Sequence, residues 1–139
     1  MSIADVLNKI VLAENEIDAI IIFDPVQGLP LYHNTKYSDD STRNGQLLHD
    51  NYEDIAGSLN RVNSITNILT EFGDSSERGR LRYAIFQLSE GILTLYFLTI
   101  KDEPVVVAFI SGTEEGVGLL LKHSKREMPT IESKLETLL

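Results

Sequence analysis

The side chains that could do chemistry are few and are poorly spaced for it. The three histidines, His33, His49 and His123, are scattered along the chain with no ligand spacing between any two. His49 adjoins Asp50, but neighbouring residues on a helix point in different directions, so the pair reads as a solvated helix start rather than a metal or acid–base site. Asp39-Asp40, with Asp50 and Asp54 further on, lack the Asp-x-Asp-x-Asp-Gly order of a calcium loop and read as solvated acids. The absence of cysteine removes thiol nucleophiles, thiolate metal sites and disulfides together. No Gly-x-Ser-x-Gly, Gly-x-x-x-x-Gly-Lys-Ser/Thr or His-Glu-x-x-His string occurs. Glycines are densest at Gly112, Gly116 and Gly118. A strand-to-helix turn of this kind can cradle a phosphate, but Glu114 and Glu115 occupy the positive helix end and would repel it. The expectation is no enzyme, no cofactor and no metal.

One charge pattern stands out. Arg78, Arg80 and Arg82 alternate, which on a strand places all three on one face. They read first as gatekeepers that keep an edge strand from stray pairing. The second reading is a basic strip for an acidic partner surface or for the acids of an opposing subunit.

The net charge is −9, and residues 1–60 carry ten acidic side chains against Lys9, Lys36 and Arg43. Such a field repels a phosphate backbone, so nucleic acid is not an expected partner. The start, Met1-Ser2-Ile3-Ala4-Asp5, has neither a basic nor an apolar leader, and Ser2 stands where myristoylation needs glycine. The longest apolar-rich run, 92–100, is half the length of a membrane span. A cytoplasmic protein without direct membrane insertion is expected.

The elements that must position these residues follow from periodicity. Ile3, Val6, Leu7, Ile10 and Val11 fall at helical spacing with Ser2 as N-cap, predicting a helix over 3–15. Residues 17–23, dense in isoleucine, predict a central strand buried on both faces. Asp24-Pro25-Val26-Gln27-Gly28 turns the chain into Leu29-Pro30-Leu31-Tyr32, whose proline places that strand at a sheet edge. Residues 37–46 predict a mobile surface connection. A long helix then runs from about Leu48 to Phe72, closed by Gly73 at C′. Strands are predicted over 79–88, 92–101 and 105–111, joined by Ser89-Glu90-Gly91 and Asp102-Glu103-Pro104. The last two are apolar on both faces, which calls for helices on both sides of the sheet. A final helix starts near Glu114 and is ended or kinked by Pro129, leaving Ile131, Leu135, Leu138 and Leu139 in a short amphipathic tail. The order is αββαβββα with a C-terminal helical extension. At 139 residues it forms one domain, 1–128, followed by the tail 129–139.

That order resembles the roadblock family of dynein light chains, Ragulator-type subunits and prokaryotic partners of small Ras-like GTPases. The strings that carry the resemblance are Ile20-Ile21-Ile22-Phe23-Asp24 leading to Gly28-Leu29-Pro30-Leu31, and Gly116-Val117-Gly118-Leu119-Leu120-Leu121-Lys122. It covers about residues 3–126. The 37–46 connection is longer than is usual in the family, and the tail is additional. The resemblance implies an α/β three-layer (α/β/α) sandwich around a five-stranded antiparallel sheet in order 2-1-5-4-3. The second helix covers one face and the other two helices cover the opposite face. It also implies dimerisation, as a homodimer or with a paralogous roadblock subunit, through that second helix and the third strand, here Arg82, Ala84 and Phe86. The helix adds its own support, because its apolar arc is wider than one sheet requires. Ile55, Leu59, Val62 and Leu69 can face the sheet, whereas Ile65, Ile68 and Phe72 lie toward a flank.

Asn60, Arg61, Ser64, Asn67, Ile68 and Glu71 form a strip turned away from the sheet and are the expected partner surface, with Ile68 the apolar residue inside it. By resemblance, the protein is a regulator or scaffold for a small Ras-like GTPase that orders the partner's own machinery and needs no catalytic side chain. Two other classes stand beside it. One is an adaptor tying cargo or a membrane platform to a motor or complex; the other is a PAS-like small-molecule sensor. Few polar groups are placed to orient a ligand, which counts against the sensor.

Overall fold

The computed structural model describes residues 2–13, 17–25, 29–35, 58, 62–112 and 117–138. Helix α1 spans Ile3–Ala13. Its start is held by a reciprocal cap: Ser2 Oγ accepts from the Asp5 amide at 3.1 Å, and the Ser2 amide donates to Asp5 Oδ2 at 3.2 Å. Strand β1 spans Ala19–Asp24 and β2 Leu29–Thr35, followed by α2 at Val62–Ser75. Strands β3 (Tyr83–Leu88), β4 (Gly91–Ile100) and β5 (Glu103–Ser111) precede α3, Val117–Leu138.

All strand pairings are antiparallel. Among the strands whose side chains are described, β1, β5, β4 and β3 lie side by side, and β2 adds to the free edge of β1 through its backbone, giving the order β2-β1-β5-β4-β3. The β1–β2 register slips where Ile22 pairs with Tyr32 but Phe23 pairs with Pro30. The irregularity thus sits beside the proline that cannot donate to the ladder. Strands β4 and β5 turn over Lys101 and Asp102, both at positive φ (50° and 68°), the pairing of signs that a two-residue hairpin favours. This turn lies earlier than the Asp102-Glu103-Pro104 connection expected from the sequence. Pro104 is instead within β5, opposite Thr99, and the pairing of β5 with β1 ends at Val106. No strand therefore lies beside the proline on the β1 side to require the N–H it lacks.

Both faces of the sheet are buried, as the isoleucine run and the doubly apolar strands imply. On the first, Ile20, Ile22, Tyr96, Val107 and Phe109 pack with α1 and α3. On the second, Ile21, Phe23, Leu95, Val106 and Ala108 form a separate buried cluster, with Phe86, Leu93, Phe97 and Ile110 partly covered around it. Helix α2 adjoins this second face, because Thr70 lines one cavity of about 210 Å³ together with Phe97 and Val106.

The sequence reading of the chain after the β strands needs correcting. It divided the protein at residue 128 and left 129–139 as a tail. Helix α3 instead continues through Pro129 to Leu138, and Ile131 and Leu135 are fully buried in the first-face core. The reason is a single stripe, Leu120, Ser124, Met128, Ile131 and Leu135, at spacings of three and four residues. It presses the helix on β4 and α1 along its length while Pro129 stays on the exposed side. The burial of the stripe offsets the hydrogen bond that the proline removes, a loss of about 3 kcal/mol in a free helix.

Ser124 is the polar member of that stripe. Its hydroxyl meets Tyr96 Oη at 2.7 Å and donates to the Leu121 carbonyl at 3.2 Å. Tyr96 also packs edge-on against Phe109, with ring centroids 5.7 Å apart. Burial raises the Tyr96 hydroxyl above its ordinary pKa of 10.0. The Ser124 hydrogen bond partly opposes this, and the neighbouring Tyr83 hydroxyl reinforces it. The folded state thus holds this proton more tightly than the unfolded state. Its contribution is complete below the ordinary tyrosine value and is lost as pH rises through the raised one. Chemical denaturation of wild type and Tyr96→Phe across the alkaline range should show the wild type losing stability more steeply above about pH 10. Parallel curves would remove Tyr96 as the cause.

Candidate functional site

Helix α2 presents two large apolar side chains to solvent. Ile68 is 67% exposed and Phe72 66% exposed. They stand four residues apart, hence one above the other on the helix. Leu69, one step round, is half-buried, and Asn67 and Glu71 border the pair as an exposed polar row. Of the residues expected to face the sheet, Ile55 and Leu59 lie outside the described residues, as does the side chain of Val62.

The end of α2 is set by a feature the sequence disguised. Gly73 was expected to be the C′ residue. The helix passes through it to Ser75, and the left-handed residue is Glu77, at φ 57°. The Arg78 amide donates to the Gly73 carbonyl at 2.9 Å and the Glu77 amide to the Asp74 carbonyl at 3.3 Å, the two bonds of a Schellman end. Gly73 itself is buried, and a Cβ there would overlap the carbonyl oxygen of Gly79. Its role is close approach of two backbones, with Gly79 at φ 89° completing the crossing.

This crossing displaces the arginines. Strand β3 begins at Tyr83, so Arg78, Arg80 and Arg82 precede it instead of lying within it. All three are exposed. The Arg82 carbonyl still accepts from the Phe97 amide at 3.0 Å, extending the β3–β4 contact by one bond. Beyond it, Ala84 and Phe86 are half-buried, and Phe86 joins the second-face cluster. Strand β3 is an edge of the sheet, and along it Tyr83 is 39% and Leu88 61% exposed.

Of the residues assigned from sequence to self-association, Ile68 and Phe72 are exposed apolar groups, and Ala84 and Phe86 lie on the edge strand. Ile65 is within α2, with its side chain outside the described part. Of the partner strip, Asn67 and Glu71 are exposed and Ser64 is in α2, whereas Asn60 and Arg61 lie outside the described residues. So do the 37–46 connection, the first half of the expected second helix, and His49, Asp39, Asp40, Asp50 and Asp54. His33 is in β2 and His123 is half-buried on α3. Among the described residues no group of three His, Asp or Glu could hold a metal ion, and no helix is long and apolar enough to cross a membrane. The sequence reading missed Tyr83 and Leu88 as exposed residues because it placed the start of β3 too early and read the strand by its arginines.

By sequence, the chain matches no protein-family model and no curated protein. By structure it is similar to several solved proteins. An MglB with a tetrameric arrangement matches with a TM-score of 0.68 at 14% identity, covering 99% of this chain and 90% of that one. Myxococcus xanthus MglB matches at 0.65 and 12% identity, with the same coverage of 99% and 90%. A roadblock/LC7 domain from Streptomyces avermitilis matches at 0.60 and 13% identity, covering 97% and 98%. At such identities the likeness establishes the fold, and the chain has the fold of the roadblock/LC7 domains.

Proposed function

We propose that the chain is a roadblock-family protein that forms dimers and acts as a cytoplasmic regulator or scaffold for a small Ras-like GTPase or its complex, without a reaction of its own. The observation that carries this reading is the Ile68–Phe72 pair. Two large apolar side chains, each about two-thirds exposed on one helix turn, are what a buried dimer seam looks like in a single chain. The adjacent edge strand β3, with Ala84 and Phe86, offers a second line of self-pairing. The polar row Asn67 and Glu71, with Ser64 on the same helix, is the side left for the GTPase. The shared fold of MglB and the roadblock/LC7 domain supports the family; the partner rests on the family resemblance.

Light scattering coupled to size exclusion should give about twice the 15.6 kDa chain mass at micromolar protein. Ile68→Asp or Phe72→Asp should shift the population to monomer without lowering helix content, since neither side chain is in the core. A wild-type monomer at these concentrations would sink the seam. Binding is tested by capture of a Ras-like GTPase from the same genome on immobilised wild type. A stimulated rate of GTP hydrolysis distinguishes a regulator from an adaptor that binds without effect.

A further inference from the structure

Arg80 plays no part in the surface just described, and the structure gives it a setting shared with Arg82 at the start of the β3 edge. Arg80, Arg82 and Lys125 of α3 all line one cleft of about 390 Å³. Lys125 Nζ is 4.5 Å from the centroid of the Tyr83 ring and 3.3 Å from its hydroxyl, which fixes the ammonium at the cleft mouth. Tyr96, Leu98 and Met128 of the first face also line the cleft, and Glu132 is its acid among the described residues.

We propose that this cleft binds an extended acidic segment of a partner protein, its carboxylates meeting Arg80, Arg82 and Lys125 and one apolar side chain entering between Tyr83 and Met128. Three points carry it. The chain as a whole is acidic, 21 carboxylates against 12 lysines and arginines, yet here three cations face one carboxylate. A local reversal of sign in a repelling field selects an anionic partner. Arg80 and Arg82 are two residues apart and line the same cleft, so both can reach one short acidic segment. Lys125 lies against the Tyr83 ring, which lines the same cleft and holds the ammonium beside it.

A small organic anion is the weaker occupant. Such sites orient their ligand with several polar groups in the floor, and the Tyr96 hydroxyl at this floor is taken up by Ser124. The inference does not rest on a GTPase partner, and it requires that the Arg82–Tyr83 end of the β3 edge stay open in any dimer.

The probe is a fluorescein-labelled peptide, Asp-Glu-Asp-Phe-Glu-Asp, titrated with the full chain at low salt and followed by anisotropy. Saturable binding that weakens with salt is expected. Arg80→Glu combined with Lys125→Glu should weaken it at least about tenfold, and serine in place of the peptide phenylalanine about fivefold. Lys101→Glu, which reverses a charge at the β4–β5 turn, should change it less than about twofold. If the double variant does not fold, Arg80→Ser alone must still weaken binding, by about threefold. Absence of saturable binding, or equal loss in Lys101→Glu, would overturn the proposal. So would inorganic pyrophosphate displacing the probe as well as unlabelled peptide does, which indicates a small-anion site. A lower mass of the double variant in light scattering would make a second copy of this chain the occupant and would equally overturn it.

Discussion

A chain ending at Met128 is expected to lose its folded state. The removed residues include Ile131 and Leu135, both fully buried on the first face of the sheet beside α1. Truncating one such side chain to alanine costs about 2–5 kcal/mol. Removing both together therefore costs on the order of 4–10 kcal/mol, against a total stability of about 5–15 kcal/mol for a domain of ordinary size. It also uncovers Val6 and Ile10, which share their cluster. The point variants Ile131→Ala and Leu135→Ala should each lower the denaturation midpoint, and the truncated chain should be insoluble or unfolded by circular dichroism. A truncated protein with wild-type melting would show that the last three turns of α3 are an appendage.

A domain ending at residue 128, as the sequence implies, would instead keep its fold without the tail. Proline is locally a helix breaker, and the amphipathic pattern beyond it was visible as a pattern. What could not be read was that the pattern is in phase with Leu120, Ser124 and Met128, so that one stripe runs across the proline. Phase across a breaker depends on whether the helix bends away, and here packing on β4 and α1 decides that it does not.

Where pattern and packing agree, the sequence was a good guide. The isoleucines of β1 have no polar face to show, so burial on both sides follows directly. The capping serine of α1 and the exposure of Ile68 and Phe72 against the half-buried Leu69 were legible for the same reason, since each depends on neighbours within one turn. The cleft was not legible. Lys125 meets Tyr83 across 42 positions of sequence, and no local rule links them. The arginines were seen, but the strand begins only at Tyr83, and the stretch before it passes Gly73 of α2 at Gly79.

That crossing leads to the second large effect, Gly73→Ala. Helix propensity alone predicts a gain, because alanine within a helix is favoured over glycine by about 0.8–1.0 kcal/mol. The structure predicts the opposite sign. An added Cβ at Gly73 would overlap the backbone oxygen of Gly79, which cannot rotate aside as a side chain would. Either α2 or the 78–82 segment must move, and forced overlap of this kind costs about 1–3 kcal/mol or more, outweighing the propensity. The displaced parts would be the Arg78–Gly73 hydrogen bond at the helix end and the arginines that line the cleft. Gly118→Ala is the matched control: it too is a glycine in a helix, but a Cβ there meets nothing within 4 Å. It should leave stability unchanged or raise it by up to about 1 kcal/mol. Denaturant titrations of the two variants should therefore move in opposite directions from wild type, with Gly73→Ala also weakening the acidic peptide. If Gly73→Ala proves as stable as Gly118→Ala, the two backbones do not approach as closely as described, and the placement of Arg80 at the cleft loses its support.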